Sequence, residues 1–204
     1  MKSESAVETA TTVYDFFQTE VSRLVTELHK TVPAEAQVYV ANLCSRFMKS
    51  EQLFVEIDGK NDIEPLALML KRALECEDDT LRLKTLRHLG DTALYTSGFL
   101  SERIERRGIE VDYVMEMGGM AYQGVSHIVA RSGAKRTMGP LYESLAKHFR
   151  DFVQVLWEVA DRARVGSATS LLKLYESWRT TGSERFERRL VQSGFVLSAK
   201  PTLC

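Results

Sequence analysis

Two histidines and an aspartate in the middle of the chain have the side chains that a metal site or a proton relay requires. His88 and Asp91 are three residues apart, which puts them on neighbouring faces of one helix. The following helix is expected to bring His127 back level with them. Two imidazoles and a carboxylate suit a transition metal, and an imidazole can also move protons near neutral pH. His88, Asp91 and His127 are therefore a candidate metal site, with surface or capping histidines as the alternative.

Glycines interrupt the same two helices. Each glycine inside a helix costs about 1 kcal/mol relative to alanine, so Gly90, Gly118 and Gly119 require a compensating gain. Close approach of the two helix backbones is the explanation we favour. The alternative is a ligand pocket, which would be lined by Gly90, Gly118, Gly119 and Tyr122.

The C-terminal part of the chain carries a candidate surface for a partner. It consists of an aromatic residue and four arginines, namely Trp178, Arg179, Arg185, Arg188 and Arg189. Guanidinium groups beside an aromatic ring suit nucleic acid or an acidic protein surface. A solvated helix face, with Arg188 paired to Glu184 one turn earlier, is the more ordinary interpretation.

Common catalytic motifs are missing from the sequence. It contains no Gly-x-Ser-x-Gly elbow, no Gly-x4-Gly-Lys-Ser/Thr phosphate loop, no His-Glu-x-x-His motif and no Glu-x-x-His pair. No cofactor is therefore identified. We expect a protein-interaction module, either an adaptor, a regulator or a scaffold, without catalytic activity. The alternative is a helical-bundle enzyme that binds a metal or cofactor along the glycine-rich helix pair.

The composition favours one soluble domain that folds without disulfides. The chain has 204 residues, 44% of them hydrophobic, and its 27 basic and 28 acidic residues give a net charge of -1. This balance exerts no overall attraction on nucleic acid or membranes. Three cysteines without a Cys-x-x-Cys pair favour a reducing compartment, and no apolar run approaches the roughly 20 residues of a membrane span. We expect a cytoplasmic protein that binds another protein or itself as a homodimer.

Apolar residues recur at intervals of three and four, which predicts an all-α, single-domain bundle of about seven or eight helices. Residues 1–197 are expected to form this domain, and residues 198–204 a frayed tail. The first helix, over about residues 6–30, has an apolar stripe three heptads long that suits either the core or a homodimer. The segment 53–57 is the nearest to a strand, and it is too short to build a sheet alone.

A central antiparallel helix pair is predicted to position the candidate residues. The two helices cover about residues 80–107 and 111–131, and Gly108 ends the first in a left-handed conformation. With the turn centred near Gly108, Gly90 is expected to face His127.

Two further helices flank this pair. One is predicted to run without interruption from Gly139 to about Ala163. The other begins after Asp62, whose side chain is expected to cap it. Leu74 is expected to lie on the buried side of this helix.

Overall fold

The computed structural model describes residues 3–49, 53, 55–57, 60–132, 138–164, 178 and 184–192. Nine helices and one short hairpin lie within these residues, so the predicted all-α bundle is confirmed. The elements are α1 (Ser3–Glu27), α2 (Ala34–Lys49), β1 (Val55–Ile57), β2 (Lys60–Asp62), α3 (Leu66–Glu75), α4 (Asp79–Phe99), α5 (Ser101–Arg106), α6 (Val111–Ser132), α7 (Met138–Lys147), α8 (Phe149–Arg164) and α9 (Glu184–Gln192). None of the described helices combines the length and apolarity needed to cross a membrane.

Helix α1 contributes its apolar stripe to the core of its own chain. Phe17, Val21 and Leu24 are buried, and α1 contacts α2 and α8. The helix ends where His29 adopts a left-handed φ of 52°. Between Phe17 and Leu24, the apolar stripe that could have packed against a second copy of the chain is therefore buried within its own chain.

Helix α4 lies at the centre of the bundle and contacts α2, α3, α6 and α8. Its first turn is capped by the Asp78 side chain, which accepts a hydrogen bond from the Thr80 amide at 2.8 Å. From Leu89 to Leu94 every residue is buried, so the helix has no polar face along this stretch. Small residues suit such a position because neighbouring helices approach it from several sides.

The predicted register of the central pair is wrong. Leu100 separates α4 from α5, and α5 with the following turn makes the connection to α6. The centre of the turn therefore lies earlier than Gly108, although Gly108 has the predicted left-handed φ of 73°. As a result Gly90 faces Tyr122 rather than His127.

Three other helix predictions need correction. The helix expected from Gly139 onward is divided at His148 into α7 and α8. His148 still donates from its amide to Ser144 O and accepts from the Phe152 amide, both at 3.0 Å, so the division is a bend. Asp62 pairs with Val55 in the hairpin instead of capping α3. Leu74 is 70% exposed rather than buried.

Candidate functional site

The structure does not bring the three predicted metal ligands together. Asp91 is only 2% exposed, His88 is half-buried with its ring edge-on to Phe47, and His127 is exposed on α6. Among the described residues, no three His, Cys, Asp or Glu side chains are arranged to hold a metal ion. The shifted register explains this result, because His127 is not opposite the turn of α4 that carries Asp91.

Asp91 is instead the centre of a buried hydrogen-bond network. The hydroxyls of Tyr39 and Tyr122 donate to its Oδ1 atom at 2.6 and 2.8 Å. Arg46 donates to its Oδ2 atom at 2.8 Å and forms an ion pair with it. Both carboxylate oxygens therefore have donors, as a buried charge requires.

Two more residues complete this network, which we call the Asp91 cluster. Tyr142 is hydrogen-bonded to Tyr39 and to Arg87. The Tyr142 ring also lies 5.7 Å from the Tyr39 ring and 5.9 Å from the Tyr122 ring, centroid to centroid. The members of the cluster are Tyr39, Arg46, Arg87, Asp91, Tyr122 and Tyr142. They come from α2, α4, α6 and α7, so the cluster links four helices.

The electrostatics of the Asp91 cluster keep the tyrosine hydroxyls as hydrogen-bond donors and the Asp91 carboxylate as their acceptor. Burial raises the pKa of Asp91, while hydrogen bonds from Tyr39 and Tyr122 and the charge of Arg46 oppose that rise. Burial and the nearby Asp91 carboxylate raise the pKa of Tyr39 and of Tyr122 well above the ordinary tyrosine value. The two hydroxyls therefore stay protonated and donate. Since Asp91 and Tyr122 are buried, a substrate would have to displace these donors to reach the carboxylate.

The glycines of the central pair accommodate aromatic rings of the protein itself. A Cβ atom on Gly90 would lie 2.6 Å from a carbon of the Tyr122 ring. A Cβ atom on Gly118 would overlap the Phe149 ring and would lie 2.7 Å from Ala93 Cβ. A Cβ atom on Gly119 would meet nothing closer than 3.8 Å. The space that would have formed the predicted pocket is thus filled at Gly90 and Gly118, in agreement with close packing.

The C-terminal arginine set is only partly described. Trp178 is buried, so its ring is not presented to a partner. Arg188 is exposed, and its Nε atom donates to the Glu184 main-chain oxygen at 3.4 Å. Arg185 and Arg189 lie on α9, whereas Arg179 is outside the described residues.

Helix α6 presents a solvent-facing surface that no described helix covers fully. We call the exposed residues Tyr113, Glu116, Met120, Gln123 and His127 the α6 outer face. Tyr113 is 52% exposed and Met120 is 60% exposed. They are seven positions apart along the chain, which places them on one side of the helix.

Comparison with known proteins gave no match. No family model matches the chain, and no curated protein and no solved structure matches it significantly. Function is therefore inferred from the geometry of this chain.

Sequence reasoning missed Tyr39, Arg46, Arg87 and Tyr142 as members of the Asp91 cluster. A signal was present, because Asp91 is the one charged residue between Leu89 and Gly98. A lone acid on an otherwise uncharged stretch of helix needs buried donors. Tyrosines and arginines on neighbouring helices are the side chains that provide such donors.

Proposed function

We propose that this protein is a non-catalytic helical interaction module that pairs with a second copy of itself through the α6 outer face. The observation that carries the proposal is the exposure of Tyr113 and Met120 on one side of a helix whose other sides are buried. Large apolar side chains at such spacing are the usual anchors of a helix that packs on another helix. Single exposed apolar residues are common, but two on one helix face form a stripe.

The α6 outer faces of two copies of the chain can pack against each other in an antiparallel arrangement. With a twofold axis at Met120, each Tyr113 stands opposite His127 of the partner subunit, and each Met120 stands opposite its own copy. The face from residue 113 to 127 is about 21 Å long. Contact over one helix face of this length buries less than the roughly 1,200 Å² of a stable complex. The dimer is therefore expected to be weak and concentration-dependent.

Two observations support a non-catalytic role, and a third supports a reducing compartment such as the cytoplasm. Asp91, the buried acid on the predicted functional helix pair, has all of its donors within the chain. The space at Gly90 and Gly118 is filled by rings. Cys44 and Cys76 are free thiols, with Cys44 buried.

Light scattering across a concentration series tests the proposal. The wild-type chain is expected to change from monomer to dimer with a Kd in the range of about 10 to 100 μM, as suits a small interface. Met120→Glu places two like charges opposite each other at the twofold axis, and should leave a monomer at all concentrations. Leu74→Glu is the matched control, because Leu74 is an even more exposed apolar residue and lies on a different helix, α3. A monomeric wild-type chain at millimolar concentration, or equal loss of dimer in both variants, would contradict the proposal.

A further inference from the structure

A second site lies away from the Asp91 cluster, where the ends of the central helices meet α3. A half-open cavity of about 130 Å³ lies between the start of α3, the end of α4, α5 and the start of α6. Its apolar lining is formed by Ile63, Leu66, Leu100, Ile104, Ile109 and Val114. Neither the metal prediction nor the glycine-pocket prediction involves these residues.

The size of the cavity limits what it can hold. An engineered apolar cavity of roughly 150 Å³ in another protein binds one benzene molecule, so about 130 Å³ suits a single ring or a short branched chain. Cofactor and drug-sized ligands use pockets of roughly 300 to 1,000 Å³. Nucleotides and flavins are therefore too large for this cavity.

The charged residues of the lining already interact with other groups of the chain. Glu64 is the one acid in the lining, and Arg72 donates to its carboxylate at 2.9 Å. Arg103 and Arg107 also line the cavity, and each has an interaction partner within the chain. An ionised ligand would lose hydration here without gaining an unpaired counter-charge, and that loss is costly. The cavity therefore favours an uncharged ligand.

Thr96 is the uncharged polar residue of the lining, and it is only 3% exposed. Its hydroxyl donates to Thr92 O at 2.8 Å, so the hydroxyl proton is already used in a hydrogen bond. A hydroxyl oxygen that donates still has lone pairs with which it can accept. The polar group that suits Thr96 is therefore a hydrogen-bond donor on the ligand.

We propose that this cavity binds a small uncharged hydroxyl compound, an alcohol or a phenol, whose hydrocarbon part is about the size of a benzene ring. The hydrocarbon part occupies the space among Leu100, Ile104 and Val114, and the hydroxyl group donates to Thr96 Oγ1. Aromatic and branched aliphatic hydroxyl compounds share this chemistry, and the experiment separates them. The binding does not depend on self-association through the α6 outer face.

NMR titration of the isotope-labelled full chain tests the site. Phenol represents the aromatic compounds and 3-methylbutan-1-ol the branched aliphatic ones, with benzoate and 3-methylbutanoate as the charged controls. At least one hydroxyl compound should shift the amide signals of Ile104, Ile109 and Val114 with a Kd of about 1 mM, since so small a ligand gains little binding energy in total. The compound that binds more tightly identifies the preferred hydrocarbon group. Each carboxylate should bind at least about tenfold more weakly than its hydroxyl counterpart, because its charge loses hydration in the cavity.

Threonine variants test the predicted hydrogen bond. Thr96→Val has a side chain of nearly the same shape without the oxygen, and should weaken binding of the preferred hydroxyl compound about fivefold. Toluene lacks a hydroxyl group, so its binding should be the same in Thr96→Val as in the wild type. Thr96→Ser keeps the oxygen and should retain binding of the hydroxyl compound. Unchanged circular dichroism verifies the fold of each variant.

Thr85→Val is the matched control. Thr85 lies on the same helix and donates in the same way to Leu81 O, at 3.0 Å, but it does not line the cavity. This variant should bind the hydroxyl compound as the wild type does. Absence of shifts at the three amides with both hydroxyl compounds, equally tight binding of the carboxylates, or an equal weakening of toluene in Thr96→Val would overturn the proposal. So would an equal loss in Thr85→Val and Thr96→Val.

Discussion

At the scale of single residues, Asp91 shows how one buried charge determines the identity of its neighbours. Its donors Tyr39, Arg46 and Tyr122 lie 52, 45 and 31 residues away along the chain. The sequence alone indicates that such donors must exist, since an unpaired buried carboxylate would be strongly destabilising. It does not indicate which helices provide them, because that depends on the packing of four helices. The cluster therefore acts as a specific link between helices that are distant in sequence.

A double-mutant cycle measures the contribution of this link. The Asp91→Ala and Tyr122→Phe variants, alone and combined, should show a coupling of about 1.5 to 3 kcal/mol in the free energy of unfolding, as expected for a buried hydrogen bond to a charged group. Urea unfolding provides the measurement. The exposed ion pair between Arg131 and Asp79 is the control, and its coupling should stay below about 1 kcal/mol. Equal couplings in the two cycles would show that the buried network adds nothing specific.

Two glycines on the central pair should respond to alanine in opposite directions. Gly90→Ala adds a Cβ atom 2.6 Å from the Tyr122 ring, and overpacking of this kind destabilises by about 1 to 3 kcal/mol. Gly119→Ala adds a Cβ atom whose nearest neighbour is 3.8 Å away, so the helix gains up to about 1 kcal/mol from the better helix former. Thermal unfolding of both variants checks the sign. Stabilisation by both substitutions would argue against the close contact at Gly90.

At the scale of secondary-structure elements, the existence of most helices was predictable and their breaks were not. The three-and-four spacing predicted α1, α4, α6 and a helix over α7 and α8, because an apolar face is needed wherever a helix meets the core. The divisions at Leu100 and His148 have no proline or glycine at the break, so no local signal marks them. The wrong register predicted for the pair of α4 and α6 followed directly from the break at Leu100. Tertiary contacts decide such positions, and a single sequence does not encode them locally.

The pair between Lys30 and Asp151 connects the α1–α2 turn to α8 and should make stability depend on pH. Lys30 Nζ lies 2.8 Å from Asp151 Oδ1, and His148 Nδ1 lies 3.1 Å from Asp151 Oδ2. Burial alone would raise the pKa of Asp151, but hydrogen bonds from Lys30 and His148 outweigh it and lower that pKa. The unfolded chain therefore takes up a proton before the folded protein does. The resulting stability is complete above the unfolded pKa near 3.8 and is lost as the pH falls through the lower folded pKa.

The Asp151→Asn variant tests this dependence. Above about pH 5 the variant should be less stable than the wild type by a constant amount, and the difference should shrink as the pH falls below about 4. Urea midpoints measured from pH 7 to pH 3 give the curve. Lys30→Gln removes the pair from the other side and should show the same trend. A difference that stays constant down to pH 3 would mean that Lys30 and His148 do not hold the carboxylate in its charged form.

At the scale of the whole molecule, the bundle is organised around α4, and its sites lie at different distances from that core. The Asp91 cluster is built on the buried middle of α4, where four helices meet. A half-open cavity of about 130 Å³ lies at the end of the same helix, beside the shorter α3 and α5. The α6 outer face is separated from α4 by the buried side of α6. Local stability should follow this arrangement, because segments with fewer buried contacts open more readily.

Hydrogen exchange in the native state tests this gradient. The amides from Leu89 to Ser97 should exchange only through complete unfolding, with opening free energies within about 1 kcal/mol of the global value, because α4 contacts helices on several sides. The amides of α3 should exchange earlier through local opening, because only Met69 and Ala73 of that helix are buried. Exchange of α3 at the same rate as α4 would show that this end of the bundle is as rigid as its centre.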